Sequence, residues 1–146
     1  MIICPICQHE NDSSAALCAN CGVLLDHAPL AAAGSIEIRI GDSGQVILRL
    51  PAPNANGGYV IGRSDDTSDY IPDIDLAQIK PRPKSVSRRH AALVGYHDTI
   101  HLIDLKSING TYINEERLTA EKPYPLNTGD KLRLGTLNLY ISSIKP

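Results

Sequence analysis

The sequence contains no phenylalanine and no tryptophan, and its only aromatic side chains are six tyrosines. A core built from it must therefore be aliphatic. With 42% hydrophobic residues in 146, there is enough such material for one domain and a small appendage. No apolar stretch reaches the ~18 residues of a membrane span, so no membrane role is expected. The start, Met1-Ile2-Ile3-Cys4-Pro5, has no basic segment followed by a long apolar run. That excludes a signal peptide and makes the cytoplasm, where thiols stay reduced, the expected compartment. Lysine and arginine are missing from residues 1–34, which carry Glu10, Asp12 and Asp26 for a charge of −3. The remainder has 14 basic and 13 acidic residues, or +1, and the chain totals −2. Such a balance argues against a general nucleic-acid binder or a polybasic membrane protein. Threonine is missing too, until Thr67.

What is present divides into three parts. Residues 1–25 bear the cysteines. Residues 26–34, Asp-His-Ala-Pro-Leu-Ala-Ala-Ala-Gly, are too weakly patterned for a packed element and read as a linker of moderate flexibility. Residues 35–146 alternate polar and apolar, beginning with Ile36, Ile38 and Ile40 and continuing through Val46, Leu48 and Leu50 across a Gly41-Asp42-Ser43-Gly44 turn. Further strands are expected at 58–61, 91–95, 100–104, 111–113, 131–134 and 137–144. No 3.6-residue periodicity is sustained after Ser35. The expectation is an all-β fold, an antiparallel two-sheet sandwich. The longest irregular stretch, 63–86, holds Pro72, Pro81 and Pro83, and long ordered loops in compact β domains are usually functional. An acidic tract (Asp65, Asp66, Asp69, Asp73, Asp75) precedes a basic one (Lys80, Arg82, Lys84, Arg88, Arg89).

Cys4-Pro5-Ile6-Cys7 and Cys18-Ala19-Asn20-Cys21-Gly22 form two Cys-x-x-Cys pairs separated by ten residues. Two such knuckles can set four thiolates tetrahedrally round one Zn²⁺ at about 2.3 Å each. The pattern resembles the short zinc-ribbon knuckle of bacterial regulatory proteins, with one departure, Gln8, where the first knuckle usually has glycine. So small a segment buries too little to fold alone, and metal would supply most of its stability. Two disulfides or a redox pair are the alternative. Four thiolates and one Zn²⁺ carry −2, and with Glu10 and Asp12 they make a poor phosphate-backbone binder. A structural or protein-contacting ribbon is therefore expected.

Three polar motifs interrupt the strands: Gly62-Arg63-Ser64, Ser87-Arg88-Arg89-His90 and Ser107-Ile108-Asn109-Gly110-Thr111. They combine guanidinium forks, a hydroxyl and a tight turn, the chemistry that holds a phosphate monoester. In order and spacing, and in the framework of Tyr59-Val60-Ile61, Ala91-Ala92-Leu93-Val94 and Leu132-Arg133-Leu134-Gly135, the segment from about Ser35 to Ile144 resembles the forkhead-associated (FHA) domain, a reader of phosphothreonine peptides. The resemblance implies that Arg63 is the primary phosphate ligand. It further implies that Ser87 supplies a hydroxyl, that Arg88 adds a second cation and that Asn109 grips the peptide backbone. His90 is then a structural brace, Gly62 and Gly110 permit the loop geometry, and Thr111 fixes the turn. Ile108 departs from relatives that carry Thr or Ser there; it offers only its backbone amide, with Lys106 and Ser107 beside it. The implied ligand is a phosphothreonine-containing protein, a Ser/Thr kinase or its substrate, and the implied role is that of an adaptor.

An enzyme would need Ser87 with His90, or a metal on the acidic tract. The first lacks a third partner and nucleophile-elbow glycines, and the second lacks the glycine and terminal glutamate of a calcium loop. Two other readings remain open. One is a ribbon protein that binds nucleic acid through Lys80–Arg89. The other is an FHA scaffold that has lost phosphate dependence, for which Ile108 is the motivating departure.

Overall fold

The computed structural model describes residues 1–4, 6–12, 15, 17–22, 30–41, 44–53, 57–79, 83–96 and 98–144, without the side chains of 2, 143 and 144. Lys80, Arg82 and residues 26–29 of the 26–34 segment lie outside these residues. In the cysteine-bearing part, β1 (Ile2–Ile3) and β2 (Glu10–Asn11) form an antiparallel pair.

The rest is the expected sandwich. One sheet contains β3 (Ser35–Ile40), β4 (Val46–Pro51), β9 (Thr111–Ile113), β10 (Glu116–Arg117), β12 (Lys131–Leu134) and β13 (Leu137–Ile144), in the order β10-β9-β12-β13-β3-β4. The other contains β5 (Gly58–Gly62), β6 (Ile74–Asp75), β7 (Ala91–Tyr96), β8 (Thr99–Asp104) and β11 (Tyr124–Pro125), in the order β11-β8-β7-β5-β6. A short 3-10 turn, Leu76–Gln78, follows β6. Side chains alternate across each strand, so Ile36 and Ile38, Ile100 and Leu102, Leu132 and Leu134, and Leu139 and Ile141 face inward and are buried. The core is aliphatic, as the missing Phe and Trp require. No helix among the described residues is long and apolar enough to cross a membrane.

Two features depart from the sequence expectation. The second sheet is mixed, because β5 and β6 run parallel with Ile61 opposite Ile74. The chain leaves β5 through the 63–73 loop and returns in the same direction. Two residues are too few to show alternation, and Asp73 holds the edge by accepting from the Val60 amide at 2.8 Å. The second departure is in the linker. Leu30 is 1% exposed and packs in the main core. Its amide donates to the Leu126 carbonyl at 2.9 Å, its carbonyl accepts from the Ile100 amide at 2.8 Å, and the Ala32 amide donates to the Asp98 carbonyl at 2.9 Å. Residues 30–32 thus belong to the sandwich, and any tether lies before Leu30. A single inward leucine among alanines carries no period from which this could be read.

Replacing a fully buried leucine loses its transfer energy and leaves a cavity, so Leu30→Ala should cost about 2–5 kcal/mol in denaturant unfolding. A loss near zero would return Leu30 to the tether.

Candidate functional site

The inward row of β8 runs Ile100, Leu102, Asp104, and the row of β7 starts immediately after His90. The apolar core therefore ends in polar groups at one end of the sandwich. His90 is fully buried. Its Nδ1 accepts from the Ser87 amide at 3.0 Å, and its Nε2 lies 2.8 Å from the Gly110 carbonyl. An N–H must face a carbonyl and a lone pair must face an N–H, so the ring is the neutral Nε2–H tautomer. Burial pushes the ring below the usual histidine range, against the opposing pull of the Gly110 carbonyl and Asp104. One side chain thus joins the loop after β5 and before β7 to the loop between β8 and β9.

Each loop has its own internal frame. Gly62 lies against the Ser87–Arg88 backbone: a Cβ there would sit 1.9 Å from the Arg88 carbonyl oxygen, so only glycine fits. Arg63 follows with its amide on the Ser87 carbonyl at 3.1 Å and its Nε on the Val86 carbonyl at 3.1 Å. The first bond holds the Arg63 backbone to the neighbouring loop, and the second ties its guanidinium to that loop through Nε. Ser64 turns away from the groove, its hydroxyl donating to Asp75 at 2.5 Å. In the other loop the buried Asp104 is the hub, accepting from the Ser107 hydroxyl at 2.5 Å and the Thr111 hydroxyl at 2.6 Å. Ser107 in turn accepts from the Gly110 amide at 3.1 Å. Gly110 takes φ +87°. Ser107 is therefore part of the frame of this loop.

Between the loops, the Asn109 side-chain amide donates to the Ser85 carbonyl at 2.9 Å, and the Ile108 amide points at the Ser87 hydroxyl at 3.3 Å. The Ile108 side chain is 85% exposed. Behind them the β12–β13 turn closes the floor. The Gly135 amide donates to the Gly110 carbonyl at 2.9 Å, and the Thr136 amide donates to the Ser85 hydroxyl at 2.9 Å. The result is a groove of about 540 Å³ lined by Arg63, Ser87, Arg88, Ile108 and Asn109 among others. Among the described residues, Asp65 is its one acidic lining residue. Hydrogen bonds from the Thr67 hydroxyl and amide, then the charges of Arg88 and Arg63, hold the Asp65 carboxyl below its ordinary range. The Arg88 Nε stands 3.8 Å from it. Arg63, Ser87, Arg88, Ile108 and Asn109, selected from sequence, thus share one groove, with His90, Gly62, Gly110 and Thr111 framing it. Asp104, Ser85 and Thr136 carry no motif in the sequence that marks them for this site. The signal for Asp104 was an acid on an inward strand position.

At the N-terminus Cys4, Cys7, Cys18 and Cys21 bring their sulfurs within 4.8 Å of one another. Two of the approaches, Cys4 to Cys21 and Cys7 to Cys18, are 3.5 Å and cross between the knuckles. A tetrahedral S₄ site with 2.3 Å bonds has edges of about 3.8 Å, so the cluster fits a metal ion. All four cysteines are free in this arrangement. Burial raises the Cys18 thiol, but amides of Cys21 and Asn20 and the side chain of Asn11 outweigh it and bring it to about 5. Chiefly the Asn20 side chain lowers Cys7. Buried Asn11, overlooked in sequence, ties the knuckles by donating to the His9 carbonyl and accepting from the Ala19 amide at 2.8 Å. Gln8 takes φ +64°, a left-handed position where glycine is the easier residue.

The FHA domain family model matches residues 59–135. Over 102 residues the chain is 33% identical to the protein phosphatase 1 regulatory inhibitor subunit PPP1R8 homolog of Arabidopsis thaliana, a match covering 69% of this chain and 25% of that protein. It is 29% identical over 114 residues to the oxoglutarate dehydrogenase inhibitor of Corynebacterium diphtheriae, covering 78% of this chain and 68% of that one. A solved chain from a structural and functional analysis of phosphothreonine-dependent FHA domain interactions superposes with a TM-score of 0.54 at 26% identity, covering 77% of this chain and 98% of that one. The chain spans a quarter of the plant relative and about two thirds of the bacterial one.

The His90 clamp has a pH signature. Its folded pKa lies below the unfolded value near 6.5, so its contribution to stability is complete above that pH. As pH falls below it, the contribution is lost, because the unfolded chain takes up a proton that the folded ring resists. Unfolding free energy should therefore drop as pH falls through and below about 6.5, and His90→Gln should flatten that slope. Equal slopes in the two proteins would contradict the buried neutral ring.

Proposed function

The chain belongs to the FHA domain family, and on that premise we propose that it reads phosphothreonine peptides and recruits a phosphorylated partner, a Ser/Thr kinase or its substrate, without catalysing a reaction. The observation that carries this reading is the convergence of Arg63, Ser87 and the Ile108 amide on one groove. The Arg63 guanidinium takes two phosphate oxygens in a bidentate pair. The Ser87 hydroxyl and the Ile108 amide, now facing each other, both turn to a third oxygen. Arg88 exchanges Asp65 for the phosphate. Asn109 commits its NH₂ to Ser85, which leaves its carbonyl oxygen as the group that accepts from a peptide amide.

Magnitudes agree with a modest, reversible contact. Charge-assisted hydrogen bonds contribute about 1.5–3 kcal/mol each. Three or four of them, less the ordering of a flexible peptide, suit a micromolar ligand near −8 kcal/mol. A phosphate-only site would not separate threonine from serine. One buried methyl adds about 1 kcal/mol, and the rest must come from orientation of the phosphate.

In this reading the cysteine cluster holds one structural Zn²⁺, with Cys4, Cys7, Cys18 and Cys21 as thiolate ligands, and the resulting knuckle is a protein-contacting module. Residues 1–66 contain no threonine, so no phosphothreonine in that segment can occupy the groove, and recruitment runs in trans.

Titration with a phosphothreonine peptide library should find binders whose unphosphorylated forms do not bind, and Arg63→Ala should weaken them by at least ~2 kcal/mol, about 30-fold. Equal binding of both forms across the library would leave a phosphate-independent scaffold. Elemental analysis should give one zinc per chain, and chelation should leave the main thermal transition of the sandwich in place; a shift of many degrees would mean that knuckle and sandwich fold as one unit.

A further inference from the structure

The charge in the groove exceeds what a phosphate monoester can balance. Arg63, Lys84, Arg88, Arg89 and Lys106 line it against one carboxylate, Asp65, leaving a net +4. A phosphothreonine brings about −1.5 to −2 at neutral pH. The excess does not follow from a basic chain, because the protein as a whole carries −2. Nor do internal partners absorb it. Arg88 reaches Asp65 only at 3.8 Å, and Lys106 pairs at 3.7 Å with Glu121, which stands outside the groove, in a contact whose partners are 72% and 63% exposed. Exposed pairs of this kind are weak and exchange readily. Arg89 lies over the Tyr70 ring at 5.9 Å, a stack that orients the guanidinium without neutralising it. Lys84 is exposed beside Ser85.

We infer that the groove is built for an acidic phosphopeptide, one whose residues flanking the phosphothreonine carry further negative charge as carboxylates or a second phosphate. This rests on the phosphothreonine reading above and adds the partner's chemistry to it. Arg63, Ser87 and the Ile108 amide hold the central phosphate. Arg89 and Lys84, which line the same groove, meet the residues flanking the phosphothreonine. A nucleic-acid strand would match the charge, but it has no use for an exposed isoleucine or for a backbone-gripping asparagine at the centre of the groove. A peptide uses both.

The test uses the full chain and four labelled peptides of one length, the first three as follows. One is a phosphothreonine between neutral residues, one is the same with two glutamates on each side, and one is the acidic peptide without phosphate. At about 0.05 M salt the acidic phosphopeptide should bind about fivefold or more tightly than the neutral one, and the gap should close near 0.5 M salt. The K84A/R89A double variant should lose the gap while holding the neutral phosphopeptide within about twofold. A third phosphopeptide with phosphoserine in place of the glutamates separates the two sources of charge, and preference for either supports the inference. Equal affinity for neutral and acidic phosphopeptides, each still phosphate-dependent, would overturn this inference alone. No binding of any phosphothreonine peptide would overturn the phosphothreonine reading with it. Binding of the unphosphorylated acidic peptide, or of a single-stranded oligonucleotide, as tightly as the acidic phosphopeptide would also overturn it, because the groove would then sense bulk charge.

Discussion

A neutral imidazole buried between two loops is the constraint on which the site depends. His90 takes a hydrogen bond from the Ser87 amide and gives one to the Gly110 carbonyl. The first bond sets the loop that carries the Ser87 hydroxyl and accepts from the Arg63 amide. The second sets the turn that presents Ile108 and Asn109. Breaking either would leave a buried polar group unpaired, at about 1–3 kcal/mol. Protonation breaks the first, because Nδ1–H would then face N–H. The groove is thus fixed before any ligand arrives, and a peptide need not supply the ordering of the loops.

Around that clamp, close approach replaces bulk. With no Phe or Trp to fill space, the aliphatic sandwich ends in a small polar lattice: Asp104 under two hydroxyls, and Gly110 shared by His90 and Gly135. Gly62 admits the Arg88 carbonyl to a distance no side chain would allow. These contacts tie β5, β7, β8, β9 and β12 to one end of the fold. A rigid scaffold presenting polar loops is how β sandwiches generally carry binding sites.

Much of this was legible in the sequence, for physical reasons. A strand with one face in an aliphatic core tends to alternate, so Ile36 to Ile40 could be placed from its period, while Ala91 to Gly95 and Leu137 to Ile144 stood out as apolar-rich runs bounded by turn residues. Loop residues with charged or turn-forming side chains stood out between those runs, which is why Arg63, Ser87 and Asn109 could be named. What escaped was set by long-range contact. β6 is two residues long and owes its parallel pairing to the path of the preceding loop. Leu30 is one inward residue among alanines. Asp104 reads as the polar end of a strand until Thr111 and Ser107 are folded onto it. Asn11 looks like surface until the knuckles close round it. In each case at least one deciding partner lies three or more residues away, and no local pattern encodes it.

The most direct test of the clamp is ¹⁵N NMR of the His90 ring at about pH 7, free and with a saturating phosphothreonine peptide. The account predicts one neutral Nε2–H tautomer in both states, while the amide signals of Ile108 and Asn109 move on binding. A charged ring, an Nδ1–H tautomer in the free protein, or a ring that changes state when peptide binds would show that the groove is not held by this imidazole.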